Sequence, residues 1–413
     1  MRINSYLKKI LVLAILLRIL VSGLLFHPDI KTIGFQTSFF KKGVSDIYTY
    51  LIQNKVSLPL KEEFVYFPLT YFTLGGYETV ASKLLGGGLD HWLANADSNS
   101  VSNDPNIFKY LIALKSPLLI TDLLIAFVLL SYFKDQKKSE NAFTLWLFNP
   151  FTIILIYAFS NIDIYAVLLT MLSFLFMKRN SIVKSAVFLG LAISFKLYPL
   201  LFLPFIFLKA KYLKEKLIAV CVPLAIFFVS VIPFWSINFV QSALVSGLST
   251  RIFSPSFSVG FGESIILGLF LLSALFVYAW MFKGSKNTGD INLLNYFTAF
   301  LLIIFSFSHF HISWLLWIAP FLVILIIKKP EFTWPVLLWS ILAISIPMLY
   351  SDRSMTLSLF RVYTNWFDLL PTPFTVVQKF YDPLGMQSII HSALAGLSVV
   401  IFAKLFREEQ KSI

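Results

Sequence analysis

Side chains able to move a proton or hold a phosphate recur beside the ends of apolar runs in this 413-residue chain. Asp29 follows the run 10–26 in the stretch FHPDIKT. Asn161 and Asp163 stand in SNIDIY, Lys196 and Tyr198 in SFKLYP, Arg251 in STRIFSP, and His309 and His311 in SHFHISW. Tyr66, Asp46 and Arg361 lie in longer polar connections. A carboxylate at a membrane mouth can take the proton of a hydroxyl. Lys, Arg and His at the same depth can hold a phosphate and stabilise it as it leaves. A base and phosphate ligands on one membrane face suit transfer of a sugar from a lipid-linked phosphate donor.

The elements that must position these groups follow from composition. The chain is 58% hydrophobic and 13% charged, with 44 phenylalanines. Soluble domains carry about 25% charged residues, so an all-α polytopic membrane protein is predicted. The apolar runs fall near 10–26, 111–133, 143–159, 164–177, 183–195, 198–208, 217–235, 264–282, 291–308, 312–327, 333–350 and 387–405, about twelve in all. The run 10–26 lacks a small-x-small cleavage site and reads as a retained first helix rather than a signal peptide. With the N-terminus inside, the cytoplasmic connections hold Lys134, Lys137 and Lys138; Lys178, Arg179 and Lys184; Lys209, Lys211, Lys214 and Lys216; Lys283 and Lys286; and Lys328 and Lys329. The tail adds Lys404, Arg407 and Lys411. The net charge of +13 is thus topology, with both termini cytoplasmic, and not a nucleic-acid surface. Residues 67–86 could span, but that would turn all these lysines outward, so they are read as an amphipathic segment on the outer face. The chain is then one domain, 1–413, whose first extracytoplasmic loop (27–110) carries amphipathic helices; the loops 236–263 and 351–386 are the other long outer ones. The single cysteine, Cys221, excludes a disulfide framework and reads as a buried, inert thiol.

Arg18 and Asp122 lie near the middles of the first two spans. An unpaired charge at mid-membrane costs at least ~2.5–3.5 kcal/mol, so the two are expected to form a structural ion pair. Each surface candidate also has a plainer role. Asp29 could be an interfacial acid, Lys196 could snorkel to headgroups, and Arg251 and Arg361 could meet lipid. Asp46, Asp90, Asp97 and Asp104 read as solvated loop acids. No cofactor is expected; a divalent metal held by Asp29, Asp163 and His309 is the less favoured alternative.

Several stretches resemble known families. YFPLTYFTLGGYETVA (66–81) resembles the YPPLTAY stretch of the glucosyltransferases that extend the lipid-linked oligosaccharide of N-glycosylation. LITDLLIAFVLL (119–130) is similar to the DLLIY run of their second span, and SHFHIS keeps the H-x-H spacing of their HVHEK motif. LFNPF and GLAISFKLYPLLFLPF look like the NPF and K-x-x-P runs of bacterial polyprenyl-phosphate-sugar mannosyltransferases. Together they resemble the GT-C class of membrane glycosyltransferases. The resemblance implies that Asp29 is the catalytic base of an inverting transfer that displaces polyprenyl phosphate. Lys196, Arg251, His309, His311 and Arg361 are then the candidate donor-phosphate ligands, and Asn161, Asp163, Tyr198 and Tyr66 the candidate lining of the substrate cavity. The chain departs from the pattern at Ile30 and Lys31, where many members have a second acid, and at Ile312 and Ser313, where the motif has Glu-Lys. The second departure argues against the eukaryotic glucosyltransferases themselves.

The resulting expectation is a hexosyltransferase moving mannose or glucose from a polyprenyl-phosphate-linked donor to a lipid-linked or envelope glycan acceptor. Its partners are those two substrates and membrane lipids, and its expected place is a prokaryotic plasma membrane. The rivals are a polyprenyl-lipid or polysaccharide flippase, which would carry ionisable residues along a whole path, and an O-antigen-ligase-like transferase. A phosphoethanolamine transferase would need a soluble zinc domain, for which no segment is apparent.

Overall fold

The computed structural model describes residues 4–96, 104–245, 251, 254–260, 262–283 and 291–411. It is 78% helical, and its described strand is one hairpin, β1 (Ser256–Gly260) paired antiparallel with β2 (Glu263–Ile266). Asp97 and Lys286 lie outside the described residues.

Each apolar run is helical over most of its length. Among the described residues four helices are long and apolar enough to cross a membrane alone: Ile107–Tyr132, Leu213–Phe234, Pro330–Met348 and Pro383–Arg407. Two bent pairs raise the number to six: Ser5–Leu24 with Pro28–Lys42, and Gln136–Phe148 with Pro150–Ala158. The other six runs form apolar helices of 10–17 residues. Fewer single spans are therefore long enough than the twelve runs suggested. The difference has a packing cause, because Leu293–Phe307 and Leu315–Lys328 are buried on nearly every side. Such helices meet protein rather than acyl chains over most of their length. Phenylalanine fills this centre: Phe202 stacks on Phe297 with ring centroids 4.0 Å apart, Phe321 closes on both, and Phe174 packs on Phe297 and Phe321. Leu13, Leu16, Ile120, Val229, Trp280 and Ile341 face outward, as a lipid-covered surface requires.

In chain order the helices are α1 (Ser5–Leu24), α2 (Pro28–Thr37), α3 (Ile47–Gln53), α4 (Pro68–Leu85), α5 (Gly87–Ala94), α6 (Ile107–Tyr132) and α7 (Gln136–Phe148). There follow α8 (Pro150–Ile153), which runs into a π-helical turn (Ile154–Ala158), then α9 (Ile164–Lys178), α10 (Ile182–Phe195), α11 (Leu203–Lys209) and α12 (Leu213–Val231). Then come α13 (Leu267–Lys283), α14 (Leu293–Phe307), α15 (Leu315–Lys328), α16 (Thr333–Met348) and α17 (Pro383–Lys411), with shorter helical turns at Ile237–Phe239 and Pro373–Val377. Pro117 inside α6 frees the carbonyl of Ala113, which accepts from the Tyr77 hydroxyl at 2.7 Å and the Ser116 hydroxyl at 2.9 Å. Gly190 lets α10 touch α12, since a Cβ there would sit 2.8 Å from Pro223 Cα.

The segment 67–86 forms α4, which does not qualify as a span and packs on α2, α5 and α10. Its buried face includes Tyr71, Leu74, Gly75 and Glu78. Asp46 caps α3 by accepting from Thr49 N at 3.2 Å, and Asp90 pairs with Lys41, so two of the acids read as solvated are bound into this layer. Cys221 is exposed on α12 rather than buried, because that helix turns most of its surface outward. At the opposite end of the bundle Lys134, Lys138, Lys178, Arg179, Lys328 and Lys329 gather within electrostatic reach of one another.

Candidate active site

Two backbone elbows carry the acids. The first joins α1 to α2 with a bend of 88°. His27 is the N-cap of α2, its Nδ1 accepting from Asp29 N at 3.3 Å, and Pro28 occupies the first helical turn with its φ preset. Asp29 thus enters the first turn of α2, where the helix dipole favours a negative charge. Its side chain remains 45% exposed. His27 is buried, edge-on to Phe159, with Oδ1 of Asp29 3.4 Å from Nδ1. Burial holds its pKa below the usual value against the pull of Asp29 and Asp352.

The second elbow follows the π-helical turn. Ser160 takes a positive φ of 51°, a strained conformation for a non-glycine residue that often marks a functional turn. Asn161 then accepts from Asp163 N at 3.0 Å and donates from Nδ2 to Ser313 O at 2.7 Å, tying this turn to the His311 loop. Asp163 is buried. Its Oδ2 accepts from Trp317 Nε1 at 2.8 Å, and Oδ1 is 3.4 Å from Lys196 Nζ. The Lys196 ammonium lies 5.1 Å from the Tyr66 ring centroid. Tyr66 senses Asp29 and Asp163 together: burial first, then both negative charges, push its hydroxyl pKa well up. Tyr198 stacks on Trp317 at 4.2 Å and so braces the indole that fixes Asp163.

His311 closes the group. Its Nδ1 accepts from Ser313 N at 3.3 Å and lies 2.9 Å from Ser313 Oγ, so the neutral ring carries its proton on Nε2. Burial depresses its pKa to about 4; Asp29 opposes the shift, His27 and Lys196 add to it, and Asp163 opposes it. One half-buried imidazole therefore has both acids and Lys196 within electrostatic reach and is neutral at pH 7. Among the described residues no three His, Cys, Asp or Glu side chains could hold a metal ion.

The other candidates separate from this group. His309 is exposed, stacks on Tyr350 at 5.2 Å, and has Arg251 and His391 within electrostatic reach. Phe310, fully buried between the two histidines, keeps them in different surroundings. Arg361 pairs with Asp368 at 3.3 Å in the loop before α17. That loop reaches the first elbow: Phe26 N donates to Leu359 O at 2.9 Å, and the Tyr363 hydroxyl to Gly23 O at 2.6 Å.

Below the elbows Arg18 and Asp122 meet, Nε to Oδ2 at 2.5 Å, both fully buried. Asp122 also accepts from Trp146 Nε1 at 2.6 Å and the Tyr157 hydroxyl at 2.8 Å, and Arg18 donates to Leu147 O at 2.8 Å.

Residues 118–303 match the family model of glycosyltransferase family 87. The match indicates glycosyl transfer and fits the GT-C-like resemblance; its segment carries Asp122, Asn161, Asp163, Lys196, Tyr198 and Arg251. Among curated proteins no match was found.

Four participants escaped the sequence reading: His27, Lys115, Trp317 and Asp352. His27 had a signal, since a His-Pro-Asp run is a cap followed by proline at the first helical position. Lys115 had one too. It stands seven residues before Asp122, on the same face of α6, and is fully buried. Trp317 and Asp352 had none.

Proposed function

We propose that the protein is an inverting glycosyltransferase that moves a hexose, mannose or glucose, from a polyprenyl-phosphate donor to a lipid-linked or envelope glycan on the outer face of a prokaryotic plasma membrane. The observation that carries this reading is the meeting of Asp29, Asp163, Lys196 and His311 at one end of the bundle, opposite the lysine-rich end. Asp29, partly open and at a helix N-terminus, takes the proton of the acceptor hydroxyl. That oxygen forms a bond to the anomeric carbon while the bond from carbon to phosphate oxygen breaks. The electron pair stays on the phosphate, which meets the Nε2–H of His311 and the ammonium of Lys196. Asp163, Trp317 and Tyr198 hold Lys196 in place.

An apolar groove of about 580 Å³ between α13, α14 and α17 supports a prenyl donor. It is lined by Leu271, Leu275, Phe307 and Phe402 among others and reaches Ser306, a few residues from His309. A chain lying there would bring its phosphate past Arg251, which has the matching charge. Arg361, paired with Asp368, is given no part in donor binding.

The test is transfer of radiolabelled mannose or glucose from its polyprenyl phosphate by purified wild type and Asp29→Asn, with a lipid extract as acceptor. Transfer by wild type that the variant loses while still binding donor would support both reaction and base. Equal transfer by both would remove Asp29 and point to Asp163.

A further inference from the structure

Lys115 sits in α6 with no exposed surface, and its ammonium donates to three main-chain carbonyls: Ser22 O at 3.1 Å, Leu25 O at 2.6 Å and Tyr157 O at 2.7 Å. Ser22 and Leu25 end α1, where carbonyls lack partners in the helix and carry its negative dipole end. Asp29 follows four residues after Leu25. Tyr157 belongs to the π-helical turn, and Asn161 and Asp163 follow within six residues. One side chain therefore grips both elbows at once, each just ahead of its acid.

We propose that Lys115 is a positioning residue: by clamping the end of α1 to the π-helical turn it sets Asp29 against Asn161 and Asp163. A buried ammonium without a carboxylate partner is expensive in a membrane. Methionine or leucine would fill a similar volume without that cost, but neither could bind carbonyls from two segments. Arg18 and Asp122, about two helical turns further along α6 and roughly 10 Å away, reach the π-helical turn only through the Tyr157 hydroxyl and bond no carbonyl of either elbow. The clamp also fits the π-helical turn, whose extra residue leaves the carbonyl pattern irregular and in need of outside donors.

The test uses purified full-length protein in lipid nanodiscs: wild type, Lys115→Met and Lys115→Arg. Its first arm is amide hydrogen exchange read by mass spectrometry, which does not depend on the transferase reading. Lys115→Met should speed exchange roughly tenfold or more in both 22–30 and 155–163, with 293–307 unchanged. Lys115→Arg, which keeps the cation and its donors, should restore most of the protection in both. Exchange that rises in one elbow only, or in neither, in protein that elutes like wild type would overturn the clamp. Should Lys115→Met not yield folded protein, Lys115→Gln takes its place with the same expected pattern.

The second arm rests on the proposed reaction. Transfer from radiolabelled polyprenyl-phosphate mannose or glucose should fall roughly 10²-fold in kcat per folded molecule, with the donor KM unchanged, because small misplacements of a base cost that much. Unchanged kcat per folded molecule would reduce Lys115 to a structural residue. If wild type transfers neither sugar, the exchange arm alone decides the proposal, and the failure belongs to the assigned donor.

Discussion

Replacing Asp122 by asparagine separates the charge of the buried pair from its hydrogen bonds. The amide oxygen of the new side chain could still accept from Trp146 Nε1, 2.6 Å from the native Oδ1, while its Nδ2, in the place of Oδ2, could donate to the Tyr157 oxygen, 2.8 Å away. What the substitution removes is the negative charge 2.5 Å from Arg18 Nε. The guanidinium then keeps only neutral carbonyl acceptors, Leu147 O and Ala14 O. Removing one partner of a buried pair costs about 3–5 kcal/mol, and Arg18→Leu alone, which strands the carboxylate, should cost a similar amount. Arg18→Leu with Asp122→Asn leaves neither charge, and the amide can still bond both Trp146 and Tyr157. Its expected loss is about 1–2 kcal/mol, from the hydrogen bonds of Arg18 and imperfect packing. At about 2 °C per kcal/mol, each single variant should melt roughly 6–10 °C below wild type and the double variant only about 2–4 °C below. Fluorescence-detected melting of detergent-purified protein measures this. A double variant that melts as low as the worse single variant would refute the claim that charge pairing, rather than shape, holds α1 against α6.

Four further outcomes follow from the site. Asp29→Asn should cut glycosyl transfer roughly 10²–10⁴-fold, the usual contribution of a general base, while photocrosslinking to a polyprenyl-phosphate probe is retained. His311→Phe should lower kcat more than His309→Phe does, and His309→Phe should act mainly on donor KM, as steady-state kinetics will show. Because burial depresses the His311 pKa to about 4, the unfolded chain binds more protons between about pH 4 and 6.5. The stability that neutral His311 contributes should therefore fade as pH drops through that window, and His311→Phe should flatten the melting curve there. Glu78 shows the opposite sign: burial raises its pKa to about 8 against the Thr37 hydrogen bond and Lys41. The folded state holds that proton from about pH 4.5 to 8, so stability should fall as pH rises through this range, and Glu78→Gln should abolish the fall.

What was legible in the sequence follows from which costs are carried by side chains alone. Apolar runs and flanking lysines announce themselves by composition, so the helical elements and the lysine-rich end could be placed from residue types. Arg18 and Asp122 could be paired because a lone mid-membrane charge needs a partner and each was the other's nearest side-chain choice. Lys115 carries the same cost and was missed, since its partners are the carbonyls of Ser22, Leu25 and Tyr157, which every residue type offers equally. The two histidines of SHFHISW read as one ligand pair, yet burial of Phe310 sends His309 to Tyr350 and His311 to the acids. Arg361 has in Asp368, seven residues on, an ion-pair partner that residue types alone did not bring forward. Backbone acceptors and the burial of an intervening apolar residue are properties of the assembled bundle, and these two decide the finer shape of the site. The same reasoning explains why the two elbows, rather than any motif, are where substitutions should alter catalysis without unfolding the protein. Each elbow is tied to other elements, by Lys115 to α6 and by the Tyr363 hydroxyl or the Asn161 amide to a neighbouring loop, so loosening one shifts an acid while the apolar centre around Phe202 and Phe297 stays closed.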